Sequence, residues 1–190
     1  MYTRNLDKAL RFAATAHSGQ VRKGTEVPYI VHPVAVFSIL QQQNCPEPVV
    51  IAGLLHDTVE DTDIQISDID AEFGSKVADI VNACTEPDKT LPWERRKAFM
   101  IERAKTADIF VKWVLCADKY HNLLSMSHDF QTMGDQLWTR FSRGYEPQKW
   151  YMQSMVEALL HNLNEKNRKP MFEKFKELVC QFFTQTSRVK

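Results

Sequence analysis

An abrupt change of chemistry occurs within residues 48–61, which read PVVIAGLLHDTVED. The first eight residues are apolar, and the next six bring His56, Asp57, Glu60 and Asp61 within two turns of a predicted helix. Residues four apart share a helix face, so His56 lies over Glu60 and Asp57 over Asp61. Three carboxylates on adjacent turns repel one another and are costly to bury without a cation. The segment therefore favours a divalent metal site over the alternative, a solvated acidic patch at a helix end.

Two further segments add potential ligands to this site. His32 precedes Pro33 at a predicted helix start, and Asp118 ends the apolar run 111–117, where a carboxylate tends to be buried and partnered. Asn122 lies four residues further on. Two imidazoles and two carboxylates make a mixed nitrogen and oxygen shell, which is typical of catalytic sites and unlike closed Cys-rich zinc sites. Such a shell suits Mn²⁺, with Fe²⁺, Co²⁺, Zn²⁺ and Mg²⁺ as alternatives.

Helical periodicity dominates the rest of the chain, and no strand pattern of useful length occurs. The spacing predicts a first helix over residues 4–17, a continuous helix from Pro48 through the acidic residues, and a helix over 108–127 that ends near His128. We predict one all-α domain of roughly eight to ten helices over residues 1–190. A C-terminal helix over residues 166–185 is appended to it.

Composition excludes several classes of protein. Twenty-four Lys and Arg residues balance twenty-four Asp and Glu residues. Because nucleic-acid-binding proteins usually carry a basic excess, we expect no nucleic acid partner. The four cysteines show no C-x-x-C spacing, which argues against a zinc knuckle or a disulfide scaffold. The N-terminus lacks a signal-peptide core and no stretch is long and apolar enough to span a bilayer, so we expect a cytoplasmic protein without a membrane partner.

Longer motifs carry a family resemblance. They are AHSGQVRKG at 16–24, PYIVHP at 28–33, AGLLHDTVEDT at 52–62, FG at 73–74 and CADKYHNL at 116–123. The order His, His-Asp, Asp resembles the signature of HD-domain phosphohydrolases, which implies that the all-α domain is a single HD-type helical bundle. Together the motifs resemble the hydrolase domain of the RelA/SpoT family in its stand-alone, small alarmone hydrolase form. The resemblance covers about residues 5–160, most of the chain.

The resemblance implies a metal-dependent enzyme. It implies that one Mn²⁺ is held by four residues: His32, His56, Asp57 and Asp118. It further implies that Glu60 and Asp61 orient or deprotonate the water that attacks the substrate. The implied reaction removes the 3′-pyrophosphate of (p)ppGpp and leaves GDP or GTP. A nearby carboxylate acting as general base is typically worth about 10²–10⁴-fold in rate.

The resemblance also implies how a small-molecule nucleotide is bound. Arg22 would meet the guanine, Lys23 the phosphates or the catalytic pocket, and Asn122 the nucleoside. Further candidates for the rim of the pocket are Lys89, Arg95, Arg96 and Lys97, and a solvated helix face is the alternative for the last three. One departure is Leu124, which stands where the family often has an arginine.

Two alternatives stay open, the first of them because of Leu124. The first is an HD phosphohydrolase that acts on another 2′- or 3′-phosphorylated nucleotide, such as NADPH. The second is a nucleotide-binding regulator without turnover, although a pure binder would not need the pair Glu60 and Asp61. Assembly into a homo-oligomer is a further open alternative.

Overall fold

The protein is described here by a computed structural model that covers residues 3–186. The described residues form ten α-helices and two 3₁₀ segments, so the prediction of an all-α fold is confirmed. The helices are α1 Arg4–Ala16, α2 Val31–Gln42, α3 Glu47–Leu55, α4 Thr58–Asp61, α5 Ile66–Phe73, α6 Ser75–Cys84, α7 Trp93–Thr106, α8 Ile109–Met133, α9 Tyr145–Leu160 and α10 Pro170–Thr186. The 3₁₀ segments are Gly134–Arg140 and Glu165–Asn167. Across residues 3–186, no helix is both long and apolar enough to cross a membrane.

Three helices form the centre of the fold, and the predicted metal ligands lie on them or directly after them. Helix α3 packs against α2 and α8, and every residue from Val49 to Leu55 is buried. Helix α8 is buried continuously from Val111 to Asp118, where it passes beneath α2 and α3. A helix buried on all sides needs apolar residues around its whole circumference, which explains the uninterrupted apolar run before His56.

The continuous helix predicted from Pro48 onward is interrupted at His56 and Asp57. Helix α3 ends at Leu55, and α4 begins at Thr58. The Thr58 hydroxyl donates to the carbonyl oxygen of Leu55 at 2.7 Å, a local side-chain bond that competes with the regular helix pattern. The backbone bond from Asp61 to Asp57 persists at 2.9 Å, so these two residues remain one turn apart.

The C-terminal third departs from the predicted boundaries. Helix α8 runs to Met133, beyond the end predicted near His128, and leads into the 3₁₀ segment Gly134–Arg140. Helix α10 starts at Pro170, not at residue 166, because Glu165–Asn167 forms a separate turn and proline suits a first helical position. Helix α10 packs on α8 and α9. The extent of a single domain over residues 1–190 stays a prediction, since residues 1–2 and 187–190 lie outside the described part.

Gly53 allows α2 and α3 to approach closely. A Cβ atom at this position would lie 2.4 Å from Leu40 Cδ1 and 3.3 Å from Val36 Cγ1, and both neighbours are fully buried. We expect Gly53→Ala to lower the free energy of unfolding by about 1–3 kcal/mol, because an extra methyl overpacks a filled core. Urea denaturation measures this change.

The control is the same substitution in a Leu40→Ala background. There the clashing methyl is gone, and the higher helix propensity of alanine, worth about 1 kcal/mol, should make Gly53→Ala neutral or stabilising. An equal loss of stability in both backgrounds would contradict the close-approach explanation.

Candidate metal centre and adjoining cavity

Three buried side chains from three different helices converge at one point. His32 comes from α2, His56 follows the end of α3, and Asp118 lies on α8. Their candidate ligand atoms all lie within 4.8 Å of one another. His32 Nε2 is 3.2 Å from His56 Nε2 and 3.3 Å from Asp118 Oδ1. All three residues are at most 5% exposed, so the convergence is an interior feature.

Asp57 places its carboxylate beside the same imidazoles. Its Oδ2 lies 3.4 Å from His32 Nε2 and 3.2 Å from His56 Nε2. The Tyr29 hydroxyl donates to this oxygen at 2.7 Å, which orients the carboxylate. The structure thus brings all four predicted ligands together, and their role as ligands stays a prediction.

Hydrogen bonds on the far side of each ring aim the two imidazoles at the cluster. His56 Nδ1 lies 2.9 Å from the carbonyl oxygen of Gly53, which can only accept, so Nδ1 carries a proton. His32 Nδ1 lies 2.7 Å from His121 Nδ1, and a proton on His32 Nδ1 completes that bond. Both Nε2 atoms then direct lone pairs into the cluster, the arrangement expected of metal-ligating histidines.

The electrostatics of the cluster call for a positive charge. Burial lowers the pKa of His32. For His56 the effect of burial is outweighed by Asp57 and Asp118, which raise its pKa to about 10. A proton or a metal cation meets this demand, and only a metal cation lets both facing Nε2 lone pairs act as acceptors. The residues present therefore fit a divalent ion of the kind bound by mixed nitrogen and oxygen sites.

The predicted catalytic carboxylates lie on α4, next to the cluster. Glu60 Oε2 accepts the backbone N–H of Glu86 at 3.1 Å, and burial together with the Glu86 charge raises the pKa of Glu60. Asp61 accepts from Lys89 Nζ at 2.7 Å and from the Tyr29 hydroxyl at 3.1 Å. Both carboxylates are thus fixed in orientation.

Tyr29 is a link that sequence reasoning missed. Burial and the nearby Asp57 raise the pKa of its hydroxyl well above the usual range, so it stays protonated and keeps its donor. This one donor lies between Asp57 and Asp61, which joins a predicted ligand to a predicted catalytic residue. The only signal in the sequence was its position in the PYIVHP motif.

A cavity of about 330 Å³ opens beside the cluster. A short chain of hydrogen bonds connects the two: Arg22 Nη2 donates to Asn122 Oδ1 at 2.9 Å, and Asn122 Nδ2 donates to Asp118 Oδ1 at 2.5 Å. All three residues predicted to bind the substrate line this cavity: Arg22, Lys23 and Asn122. Tyr151 and Trp93 form an aromatic wall. The volume and the mixed lining are typical of small-molecule sites.

Basic side chains dominate the charges in the cavity wall. Five of them contribute against one acid, Asp129: Arg22, Lys23, Lys97, Lys119 and Arg140. Lys97 pairs with Glu86, Lys119 Nζ lies 2.6 Å from Asp118 Oδ2, and Arg140 Nη1 lies 2.5 Å from Asp129 Oδ2. Among the described residues, Arg22 and Lys23 form no ion pair with a carboxylate. They are the cations best able to meet an anionic ligand.

Only one of the predicted rim residues lines the cavity. Lys97 lines the cavity, whereas Lys89 binds Asp61 and Arg96 Nη1 binds Glu86 Oε2 at 2.6 Å. Arg95 and Leu124 do not line the cavity, and Leu124 is 37% exposed beside a neighbouring shallow pocket. Lys119 and Arg140 were not predicted, because nothing in the local sequence shows that they face the same space.

Comparison with known proteins identifies relatives of this chain. A family model described as HD domain matches residues 9–143. The human protein guanosine-3′,5′-bis(diphosphate) 3′-pyrophosphohydrolase MESH1 is 41% identical over 123 residues, which cover 63% of this chain and 68% of that protein. A protein from Haemophilus influenzae, guanosine-3′,5′-bis(diphosphate) 3′-pyrophosphohydrolase, is 40% identical over 120 residues. The match covers 60% of this chain but only 17% of the Haemophilus protein.

Two solved structures share the fold. The 1.85 Å crystal structure of lmo0812 from Listeria monocytogenes superposes with a TM-score of 0.77 at 42% identity, covering 80% of this chain and 99% of that one. A second structure, titled as a metazoan ortholog of SpoT that hydrolyzes ppGpp, gives a TM-score of 0.78 at 28% identity. It covers 95% of this chain and 97% of that one.

His121 offers a test of how the imidazoles are aimed. We expect His121→Phe to weaken Mn²⁺ binding by about 10- to 100-fold, because the Nδ1 proton of His32 loses its acceptor and the ring is free to turn. Calorimetric titration with Mn²⁺ measures the affinity. His121→Gln, which keeps an acceptor oxygen, should recover part of the loss.

His128→Phe is the matched control, since the His128 side chain is 82% exposed and lies outside the cluster. Unchanged Mn²⁺ affinity in His121→Phe, or an equal loss in His128→Phe, would contradict an orienting role for His121.

Proposed function

The chain belongs to the HD-domain family, and on that premise we propose that it hydrolyses the 3′-pyrophosphate of (p)ppGpp. One water is consumed, and the products are GDP or GTP and pyrophosphate. Its relatives MESH1 and the Haemophilus protein carry the name of this activity. The observation that carries the proposal is a cavity rich in basic side chains that opens directly beside a buried cluster of metal-ligand type.

We propose that four residues hold one divalent metal ion: His32, His56, Asp57 and Asp118. A mixed nitrogen and oxygen shell of this kind suits Mn²⁺. When bound, such an ion lowers the pKa of a coordinated water and offsets the negative charge of the phosphates. The chain's own contribution is to bond His56 Nδ1 to the Gly53 carbonyl, which leaves Nε2 as the ligand atom, and to orient the Asp57 carboxylate through the Tyr29 hydroxyl.

Glu60 and Asp61 handle the proton of the attacking water. Because burial and Glu86 raise the pKa of Glu60, this carboxylate is a stronger base than an exposed glutamate and is the better proton acceptor. Asp61, held by Lys89 and Tyr29, orients the water. Attack at the phosphorus attached to the 3′-oxygen breaks that P–O bond, and the 3′-oxygen leaves as a hydroxyl after taking up a proton.

The basic residues orient the nucleotide. Asn122 is bonded to both Arg22 and Asp118, so a group held by Arg22 and Asn122 lies next to the cluster. Arg22 also has one face of its guanidinium over the Tyr29 ring at 5.7 Å, and a base would stack on the opposite face. Lys23, Lys97 and Lys119 supply the countercharge that a polyphosphate requires.

The cellular setting is part of the proposal. All four cysteines are free thiols, which fits a reducing cytoplasm, the compartment expected for a soluble nucleotide substrate. Assembly into a homo-oligomer stays a prediction.

Product analysis tests the reaction. We expect Mn²⁺-loaded protein to convert ppGpp to GDP and pyrophosphate, and Asp57→Ala to abolish the conversion. Glu60→Gln should lower kcat by about 10²–10⁴-fold, the usual value of a general base, while Mn²⁺ affinity stays unchanged. Chromatography of the nucleotides and calorimetry with Mn²⁺ provide the two readouts.

Glu94→Gln serves as the control for Glu60→Gln, since Glu94 is half-exposed and paired with Arg143. Intact ppGpp after incubation with protein that holds its metal would refute the proposed reaction. A panel of other 2′- and 3′-phosphorylated nucleotides, including NADPH, would then identify the substrate class.

A further inference from the structure

The two unpaired cations of the cavity, Arg22 and Lys23, are carried by the connection between α1 and α2, residues 17–30. Its base is well anchored. Gln20 Nε2 donates to the Asp61 carbonyl at 2.8 Å, and backbone bonds at 2.8 Å join Tyr29 to Gln20 and Arg22 to Val27. The tip of this connection, residues 23–25, lies beyond these bonds and is closed by Thr25, whose N–H and hydroxyl donate to the Arg22 carbonyl at 3.0 and 2.9 Å.

The tip rests on Arg140, a residue far away in the sequence. Gly24 has a φ angle of +70°, and a Cβ atom there would lie 2.9 Å from Arg140 Cδ and 3.0 Å from Arg140 Cγ. The backbone at Gly24 therefore sits directly on the aliphatic stem of Arg140. Only glycine meets both requirements, the left-handed backbone and the absence of a side chain.

Arg140 is itself held in place. Its Nη1 lies 2.5 Å from Asp129 Oδ2, and its Nη2 lies 2.7 Å from Met133 Sδ. Both partners belong to the last turns of α8, and the Arg140 side chain is only 16% exposed. Because both terminal nitrogens of the guanidinium are bonded, the aliphatic stem of Arg140 is a rigid surface for packing.

We propose that Arg140 is a positioning residue that holds the tip of residues 17–30 over the cavity, so that Arg22 and Lys23 face the substrate. Asp129 fixes the Arg140 guanidinium, and Gly24, which has no side chain, leaves room for the aliphatic stem of Arg140. Asp129 stands eleven residues after Asp118 on α8, about 16 Å along the helix axis, so this contact is remote from the metal cluster. The kinetic part of the proposal rests on the proposed hydrolysis of (p)ppGpp.

Because the contact is remote from the reacting atoms, its loss should affect binding more than chemistry. We expect Arg140→Ala to raise KM for ppGpp about tenfold and to change kcat by less than about twofold. Arg140→Lys keeps a stem and a charge, and should bring KM back to within about threefold of the wild-type value. Mn²⁺ affinity should be unchanged in both variants.

Hydrogen–deuterium exchange tests the position of the tip without any substrate. Amides of residues 22–27 should exchange about tenfold faster in Arg140→Ala than in the wild type, since local opening governs their protection. The matched control is Arg143→Ala, which removes an arginine from the same region, paired with Glu94, and should leave exchange and KM unchanged.

A second pair of variants asks whether Gly24 and Arg140 act together. Gly24→Ala introduces both a clash with Arg140 and an unfavourable φ angle, and only the clash disappears in the Arg140→Ala background. The fold increase in KM of the double variant should therefore be well below the product of the fold increases of the two single variants.

The outcomes separate the two proposals. Exchange at residues 22–27 that is unchanged in Arg140→Ala would overturn the role of Arg140, whatever the substrate is. An equal increase in Arg140→Ala and in Arg143→Ala would also overturn it. A lower kcat with unchanged KM would also overturn it. Faster exchange at residues 22–27 with no hydrolysis of ppGpp by the wild type would support the role of Arg140 and refute the proposed reaction.

Discussion

The burial of two imidazoles and two carboxylates where α2, α3 and α8 meet constrains the rest of the structure. The helices cannot slide past one another without separating these groups, because His32 lies on α2, Asp118 lies on α8, and His56 and Asp57 follow the end of α3. Gly53 shows how tightly the constraint acts. It lets α3 approach Leu40 on α2, and its carbonyl oxygen also fixes Nδ1 of His56. One residue without a side chain thus sets both the packing of the core and the aim of an imidazole.

Basic side chains are concentrated in the cavity beside this cluster. The chain as a whole is neutral, yet five basic side chains and one acid line the cavity. Lys119 shows the connection, since its ammonium lies 2.6 Å from Asp118 Oδ2 and also over the Tyr151 ring, 5.7 Å from the ring centre. Burial would lower the pKa of Lys119, but Asp118 raises it well above the usual range. A zero net charge therefore does not conflict with an anionic ligand, because the field that matters is local.

The sequence predicted the convergence of His32, His56, Asp57 and Asp118 because its motifs contain all four, and the fold class because helical periodicity is strong. It did not predict the break after Leu55, where the Thr58 hydroxyl competes for a backbone carbonyl. It also missed Tyr29 and Arg140, whose importance depends on contacts with residues far away in the chain. Arg140 and Gly24 are 116 positions apart, and no local pattern encodes such a pairing. Periodicity reports on one face of one helix, whereas a cavity wall is assembled from several elements.

The structure divides chemistry and recognition between two kinds of element. The cluster is carried by the buried helices α2 and α8 and by the short turn directly after α3, and rigid elements of this kind hold ligand atoms more reproducibly than surface loops do. The unpaired cations Arg22 and Lys23 are carried by a surface connection, the kind of segment in which sequence change is best tolerated. A change in residues 22–25 or in the segment Gly134–Arg140 can therefore alter which phosphorylated nucleotide is held while the cluster stays intact. This separation gives a physical reason why one helical scaffold with one set of ligands can serve different nucleotide substrates.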